Sequence, residues 1–144
     1  MNIKRIKYDL PLKIDLGSGE HTKDGFTGVD IKDCGQGVVW DITQGLPFPD
    51  NSVEEIYSSH FIEHIEDKHL ITLVNEIVRV CKNGAIVFFK CPEKSHIEAY
   101  YKSHLSLWDE KKVRGVFFGE ANNFEFLKLG TEGIEIYFKL KVNK

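Results

Sequence analysis

The sequence has little of several features that identify common classes of protein. It has only three cysteines in 144 residues, Cys34, Cys81 and Cys91, and no CxxC pair, so it predicts neither a disulfide framework nor a structural zinc site. No run approaches the roughly 18–20 apolar residues of a membrane-spanning helix. The start, Met1–Arg5, lacks the apolar segment of a signal peptide. We therefore expect unpaired thiols in a reducing cytoplasm and no membrane association.

An excess of basic charge is also missing. The chain has 19 Lys and Arg against 22 Asp and Glu, a net charge of −3, which excludes a generally basic nucleic-acid binder. Residues 1–72 hold 7 basic and 13 acidic side chains, whereas residues 73–144 hold 12 and 9. The acidic half contains the candidate ligand site described below, so we do not expect a polyanionic ligand there. With 42% hydrophobic and 28% charged residues, the composition predicts one globular domain over residues 1–144.

The pattern of apolar residues predicts an α/β domain. Short apolar runs bounded by turn residues predict four strands, at Leu12–Leu16, Thr27–Ile31, Val38–Trp40 and Val53–Ser58. From Ile62 to Cys81, apolar residues recur every three or four positions, which predicts one long helix ending at Asn83-Gly84. The pattern then predicts a strand at Ala85–Phe89, a helix at Trp108–Val116, and a terminal strand pair at Phe124–Leu129 and Gly133–Val142.

Polar and glycine residues follow the first three predicted strands. The segment Asp15–Gly19 (DLGSG) has two glycines, which allow the backbone to approach a ligand closely. The third glycine of a dinucleotide fingerprint is absent, and only eight residues separate Gly19 from Gly28, so a phosphate site fits poorly. Asp30 lies at the end of the second predicted strand and Asp41 at the end of the third, and carboxylates there can accept hydrogen bonds from a nucleoside. The sequence therefore predicts a nucleoside-binding rim at the carboxyl edge of the sheet.

Four segments carry a resemblance to a known family: DLGSG (15–19), GVDI (28–31), WDI (40–42) and LPFPDNSVEEIYSSHFIEHI (46–65). In this order they resemble the class I S-adenosylmethionine-dependent methyltransferases, in particular small members with an LPFPDNSFD-type loop and an SSHVLEHI-type segment. The resemblance runs from about Leu12 to Pro92 and more weakly through His104–Trp108. It implies a three-layer Rossmann-like fold with a mostly parallel sheet, a terminal antiparallel strand and, because the first crossover is short, a first helix shortened or missing.

The resemblance also implies a cofactor, S-adenosylmethionine, and a product, S-adenosylhomocysteine. An acidic rim suits this ligand, which has a positive sulfonium and no phosphate. The implied cofactor residues are Asp15, Gly17, Ser18 and Gly19 at the methionine part, Asp30 at the ribose, Ile31 against the adenine, Asp41 and Ile42 at the polar edge of the adenine, and Ser59, His60 and Phe61 over the sulfonium side. The sequence departs from the family where His21 replaces the usual third glycine.

Histidines provide the candidates for catalysis. Residues His60–His64 match the HxxEH pattern of inverted zinc proteases. His60 falls at a strand-to-helix turn, so the two imidazoles need not share a helical face, and we expect no metal. A hydroxyl acceptor requires a base, and histidine is suited to that task near neutral pH. The candidate bases are His60, His64 and His104. The chain has Ser58-Ser59-His60 instead of an NPPY-type amide-methylating motif, which favours an oxygen acceptor on a small or sugar-like molecule.

Three functions remain open at this stage. The first is a methyltransferase, and the second is a non-catalytic methyltransferase-like module that binds the cofactor or a partner protein. The third is a nicotinamide-nucleotide oxidoreductase, which the missing third glycine argues against. The sequence has no strong nucleic-acid signal, and the Gly133–Val142 strand would allow a homodimer if it lay at a sheet edge.

Overall fold

A computed structural model describes residues 12–118 and 123–144. Seven strands form one sheet in the order β3-β2-β1-β4-β5-β7-β6. The strands are β1 Leu12–Leu16, β2 Thr27–Asp30, β3 Gly37–Val39, β4 Val53–Ser59, β5 Cys81–Pro92, β6 Phe124–Glu132 and β7 Glu135–Val142. Strands β1 to β5 are parallel to one another, and β7 is antiparallel to both of its neighbours. This confirms the predicted mostly parallel sheet with a terminal antiparallel strand.

The helices are few. The two α-helices are α1 Leu70–Val80 and α2 Glu110–Phe117, and 3-10 turns occur at Ile42–Gln44, Ile62–His64, Asp67–His69 and Ile97–Tyr100. The connections 17–26 and 31–36 contain no helix, since each is shorter than the dozen or so residues that a helical crossover needs. The first helix is therefore missing, as predicted. Helices α1 and α2 contact each other, so the α-helices of residues 12–118 and 123–144 form one layer, on one face of the sheet. The short connections 17–26 and 31–36 leave the opposite face without the second helical layer of the implied three-layer fold.

The core lies between the sheet and this helical layer. Ile14, Ile56, Val87 and Leu140 are aligned across four neighbouring strands and are fully buried. The opposite face is only half-buried and carries aromatic rings and long charged side chains. There the rings of Tyr57 and Phe88 stack with centroids 5.5 Å apart.

The prediction of one continuous helix over Ile62–Cys81 is wrong, because the α-helix begins only at Leu70. The carbonyl oxygen of Glu63 accepts the backbone N–H groups of Leu105 (2.7 Å) and Ser106 (3.0 Å), so it is not available to continue a helix. Residues 65 and 66 are extended. The helix also ends early, and Gly84, with φ +86°, lies within β5 instead of ending the helix.

The last strand does not lie at a sheet edge, so the condition under which it would allow a homodimer is not met. β7 lies between β5 and β6, so both of its edges are already paired, and the edge strands of the sheet are β3 and β6. The three cysteines are free, and Cys81 and Cys91 are buried. Within residues 12–118 and 123–144, no helix is long and apolar enough to span a membrane. Residues 1–11, on which the prediction about a signal peptide depends, lie outside the described residues.

Candidate active site

The predicted site residues follow strands that end at one edge of the sheet. Strands β1, β2, β3 and β4 are parallel, so their carboxyl ends lie together. From β1 the chain proceeds to β2 and β3 on one side of it, and then to β4 and β5 on the other. Ligands of open α/β sheets bind at this kind of switch in strand order. The candidate ligand site is therefore between the turn after β1 and the segment after β4.

Asp30 is held against the glycine turn that follows β1. Its Oδ2 atom accepts a hydrogen bond from the backbone N–H of Gly19 (3.0 Å), and its Oδ1 atom accepts one from Lys32 (3.0 Å). Gly19 has φ +54° and open space where a Cβ would be, so the backbone conformation alone favours glycine here. An ionised carboxylate has about four lone-pair directions. Asp30 is thus fixed in place and can still accept hydrogen bonds from ligand hydroxyls.

Two other polar side chains of this turn are buried. Asp15 is 3% exposed, and its Oδ2 atom accepts a hydrogen bond from the Lys23 backbone (2.9 Å); burial raises the pKa of Asp15. The Ser18 hydroxyl is buried and has no hydrogen-bond partner in the described part of the chain. A Cβ on Gly28 would lie 2.5 Å from the Ser18 hydroxyl, so the turn needs a glycine at that position. The turn therefore presents a polar group that the protein does not satisfy.

Phe61 covers the turn from the β4 side. A Cβ on Gly17, which has φ +68°, would lie 2.3 Å from Cδ2 of Phe61, so the ring lies directly against the turn. Ser59 ends β4 and is half-buried, and His60 follows with φ +54°. Left-handed conformations of residues other than glycine cost about 1–2 kcal/mol and are concentrated at functional sites. The switch in strand order is thus flanked by Gly17 on one side and by His60 and Phe61 on the other.

The remaining predicted cofactor residues differ in their exposure. Ile31 follows Asp30 and is 64% exposed, an uncovered apolar side chain beside the carboxylate. Asp41 begins the 3-10 turn at Ile42, and its Oδ1 atom accepts hydrogen bonds from the N–H (3.0 Å) and hydroxyl (2.6 Å) of Thr43. Ile42 packs in the core. Asp41 is therefore a cap for its own turn, while Ile31 is the accessible apolar surface at this end of the rim.

Glu63 is a buried carboxyl group without a hydrogen-bond partner. It is 1% exposed, and neither carboxylate oxygen has a partner in the described residues. Burial and, to a lesser extent, the charge of Glu135 raise the pKa of Glu63 to about 7. The Nδ1 atom of His60 lies 3.7 Å from its Oε2 atom, and the Nε2 atom of the same ring lies 2.6 Å from Oε2 of Glu135. His60 is thus placed between two carboxyl groups.

The other two candidate histidines lie together beside Glu63. The rings of His64 and His104 meet edge to face with centroids 4.8 Å apart. The Nδ1 atom of His64 lies 2.8 Å from the carbonyl oxygen of Ser103, whereas Nδ1 of His104 is buried with no partner in the described residues. One ligand atom from each of Glu63, His64 and His104 lies within 4.8 Å of the other two. The structure therefore gathers the histidines that the sequence separates by 40 positions.

The segment 104–108 is anchored to the turn that contains Glu63. In addition to the two backbone bonds to Glu63, the Ser106 hydroxyl donates to the carbonyl of Ile62 (3.1 Å). The fully buried Trp108 donates from Nε1 to the Ser106 hydroxyl (2.9 Å). Neither Glu63 nor Glu135 is among the site residues predicted from the sequence. The HxxEH pattern was a signal for Glu63, whereas Glu135 reaches the site only through the pairing of β7 with β5.

Comparisons with known proteins agree with this geometry. A family model described as a methyltransferase domain matches residues 17–89, just over half of the chain. A methyltransferase from Archaeoglobus fulgidus superposes with a TM-score of 0.72 at 15% identity, over 92% of this chain and 86% of its own. A methyltransferase from Aquifex aeolicus superposes with a TM-score of 0.68 at 16% identity, over 91% of this chain and 81% of its own.

A third solved structure is similar over almost the whole chain. A chain of the complex between the Haloferax volcanii Trm112 methyltransferase activator and a methyltransferase superposes with a TM-score of 0.70 at 12% identity, over 97% of this chain and 86% of its own. At these identities the solved structures show the fold. The search of curated proteins gave no match.

Proposed function

Since this chain belongs to the methyltransferase-domain family, whose cofactor is S-adenosylmethionine, we propose that it transfers the methyl group to an oxygen atom of a small-molecule or sugar-like acceptor. The product of the cofactor would be S-adenosylhomocysteine. The observation that supports this most is the meeting of Gly17, Phe61 and His60 at the switch in strand order. The unsatisfied and exposed groups at that edge lie where a ligand of an open α/β sheet binds.

The residues at the rim fit this cofactor in chemical type. The buried Ser18 hydroxyl lacks a partner, Asp30 has free lone pairs, and Ile31 offers exposed apolar surface. These groups suit an amino acid, a ribose and an adenine, respectively. We propose that Asp15, Gly17, Ser18 and Gly19 bind the methionine part, Asp30 the ribose, Ile31, Asp41 and Ile42 the adenine, and Ser59, His60 and Phe61 the sulfonium side.

Bound S-adenosylmethionine would supply a methyl carbon that its sulfonium makes reactive. The contribution of the protein is to hold the acceptor oxygen in line with that carbon, which accounts for much of the rate in such displacements. We propose that His60 takes the proton of the acceptor hydroxyl. Glu135, 2.6 Å from its Nε2 atom, would stabilise the imidazolium that forms. His64 and His104, the other two candidates, would act at the acceptor side of the same site.

Calorimetric titration with S-adenosylmethionine, S-adenosylhomocysteine and NAD tests this function. The proposal predicts binding of both sulfur compounds and none of NAD. Binding of NAD alone would support the oxidoreductase alternative and contradict the proposal. Binding of the sulfur compounds without turnover of any hydroxyl acceptor, and with no effect of His60→Asn on binding, would support the non-catalytic module instead.

We propose in addition a location in a reducing compartment such as the cytoplasm, which three free cysteines support. We propose further that a second copy or a partner protein covers the acceptor side of the site. The Haloferax volcanii complex, which joins a methyltransferase to an activator, is a precedent for the partner. Sedimentation of the purified chain, alone and with cofactor, tests whether a homodimer forms.

A further inference from the structure

The cluster of Glu63, His64 and His104 has a property that the methyl-transfer proposal does not use. Glu63 is almost completely inaccessible, and both of its carboxyl oxygens lack a hydrogen-bond partner in residues 12–118 and 123–144. The nearest ion-pair contact of Glu63 in the described residues is the Nδ1 atom of His60, at 3.7 Å, which is beyond hydrogen-bonding distance. Buried polar groups are almost always hydrogen-bonded, and buried charges are paired or bind metals. The Glu63 carboxyl group is therefore arranged to receive a partner that the described residues do not supply.

The hydrogen bond of His64 determines which of its nitrogens is free. Its Nδ1 atom lies 2.8 Å from the Ser103 carbonyl oxygen, which can only accept, so Nδ1 carries the proton. In the neutral ring the lone pair is then on Nε2. A backbone carbonyl that fixes the tautomer of a histidine in this way is the usual outer contact of a metal-binding histidine.

His104 provides a second nitrogen that the protein leaves free. Its Nδ1 atom is buried and without a partner in the described residues, and its ring meets that of His64 edge to face. The position of His104 is fixed relative to Glu63, because the next two residues, Leu105 and Ser106, donate their N–H groups to the Glu63 carbonyl oxygen. Glu63 and His104 are thus held together by backbone contacts that do not depend on any ion.

From these contacts we propose that Glu63, His64 and His104 bind one divalent first-row transition-metal ion. Two imidazoles and one carboxylate are a ligand set for ions such as Zn²⁺ and Mn²⁺, whereas Mg²⁺ and Ca²⁺ prefer oxygen ligands only. Three protein ligands with an open fourth position are also typical of catalytic zinc sites, as opposed to structural ones. The HxxEH pattern therefore supplies two ligands, Glu63 and His64, while the third comes from the loop at His104 and not from His60.

The distances fit such an ion after a small adjustment. The three ligand atoms lie within 4.8 Å of one another. Bonds of about 2.0–2.2 Å to one tetrahedral ion place the ligand atoms about 3.4 Å apart. Side-chain rotations that move the ligand atoms by about 1 Å would bring them to this spacing. His64 and His104 have room to rotate, because neither is fully buried. The backbone that carries the three residues does not have to move.

The position of the site gives the ion a role, which rests on the proposed function. Glu63 is two residues after Phe61, whose ring lies against Gly17, and His60 contacts Glu63. An ion held by Glu63 would lie next to His60, the proposed base. It would bind an acceptor oxygen and hold it beside His60. The acceptor class that suits this arrangement has oxygen atoms that can ligate a metal, such as a molecule with neighbouring hydroxyl groups.

Titration of the tag-free, EDTA-treated full chain with Co²⁺, followed by visible absorption, tests the site without any need for activity. The proposal predicts one equivalent of Co²⁺ with a four- or five-coordinate spectrum, and competition by Zn²⁺. Glu63→Gln and His104→Ala should each weaken Co²⁺ binding at least about tenfold, in line with losses at metal sites. His96→Ala, which changes a histidine outside the cluster, should leave both affinity and spectrum unchanged.

Several results would overturn the proposal. These are a stoichiometry of zero, equal affinity in wild type and Glu63→Gln, or loss of binding in His96→Ala. Glu63→Gln preserves size, so it decides the question even if His104→Ala does not fold, as judged by circular dichroism. Titration of the same samples with S-adenosylhomocysteine separates the two proposals, because Co²⁺ binding without nucleoside binding contradicts the proposed function alone, and the converse contradicts the metal site alone.

Discussion

Two glutamates thirteen residues apart show how differently this chain treats carboxyl groups. Glu76 on α1 has a full set of partners: its Oε1 atom accepts the Leu46 N–H (2.8 Å), and both oxygens accept hydrogen bonds from Arg79. These bonds, chiefly the one from Arg79, lower the pKa of Glu76. Glu63 has no hydrogen-bond partner in residues 12–118 and 123–144, and burial raises its pKa to about 7. A satisfied carboxylate indicates a structural role, and an unsatisfied buried one indicates a binding role.

The hydrogen bonds of Glu76 and Arg79 explain why the LPFPD segment (46–50) has a fixed shape. The Arg79 guanidinium donates to the carbonyl oxygens of Leu46 (2.8 Å) and Phe48 (2.9 Å) and to Asp50 (2.8 Å). One arginine on α1 therefore supports the turns that lead into β4. The segment that contains Glu63 follows β4 directly. The loop before the strand therefore contributes rigidity, and we propose that the segment after it contributes chemistry.

Replacing Arg79, which binds both Glu76 and the LPFPD segment, should give the largest loss of stability. Arg79→Ala leaves Glu76 and two loop carbonyls without their donor, and we expect the free energy of unfolding to fall by about 2–3 kcal/mol. Urea denaturation measures this change in the free energy of unfolding. The control is Arg114→Ala, whose ion pair with Glu110 is exposed on both sides and should change stability by less than about 0.5 kcal/mol. Equal effects of the two substitutions would contradict the structural role of Arg79.

Replacing Glu63, which has no hydrogen-bond partner in the described residues, should increase the free energy of unfolding instead. In metal-free protein at pH 8, Glu63→Gln removes a buried charge, and we expect the free energy of unfolding to rise by about 1–3 kcal/mol. The folded-state pKa, about 7, lies above the ordinary value of 4.5. The folded state therefore binds more protons between these two values, and wild-type stability should fall as pH rises through that window.

The gain from Glu63→Gln should accordingly be small at pH 4.5, grow up to pH 7, and stay constant above it. Denaturation at a series of pH values measures this profile. The exposed Glu125→Gln provides the control, with an expected change below about 0.5 kcal/mol at every pH. Destabilisation of the metal-free protein by Glu63→Gln at pH 8 would show that Glu63 has a stabilising partner, and the contrast with Glu76 would fail.

Substitution of a residue at the cofactor rim should change the affinity for the cofactor product more than it changes the stability of the fold. Asp30→Ala removes the carboxylate proposed for the ribose, and we expect the affinity for S-adenosylhomocysteine to fall at least about tenfold, the size of a lost hydrogen bond to a charged group. Asp33→Ala is a close control, since Asp33 also accepts a backbone N–H, that of Gly35 (3.1 Å). Calorimetry should find that Asp33→Ala leaves the affinity for S-adenosylhomocysteine unchanged. An Asp30→Ala variant with wild-type affinity would contradict the site assignment.

The smallest effect is expected at the exposed apolar residue of the rim. Ile31→Ala removes surface proposed to contact the adenine, and we expect about three- to fivefold weaker binding, because burial of a few methylene groups is worth about 1 kcal/mol. Stability should change by less than about 0.5 kcal/mol. Ile97→Ala, 77% exposed in another loop, should alter neither quantity. If both substitutions weaken binding equally, Ile31 is not part of the site.

The sequence predicted the parts of the fold that depend on local pattern. The strand Leu12–Leu16 was predicted with its observed bounds, and the bounds of α2 were predicted within two residues, because apolar runs are local signals. The predicted helix from Ile62 failed because its first turns are redirected by hydrogen bonds from residues 105 and 106. A periodicity analysis cannot detect a partner forty positions away.

Some residues of the candidate site could be proposed from local sequence for the same reason. Gly17, Gly19 and Asp30 are candidates because each lies at or just after the end of a short apolar strand, and β1 and β2 are neighbours in the sheet. Glu135 was missed, since only the antiparallel pairing of β7 with β5 brings it to His60. The isolation of Glu63 was missed as well, because the absence of a hydrogen-bond partner is a property of the folded environment.

A crystal structure with S-adenosylhomocysteine bound would test the central claim most directly, that the unsatisfied groups at the carboxyl edge form the active site. We expect the ribose hydroxyls within hydrogen-bonding distance of Asp30, the adenine against Ile31, and the sulfur facing the side that holds His60 and Glu63. A ligand bound elsewhere, such as the groove beside α2 lined by Lys94, Leu107 and Lys112, would contradict the account.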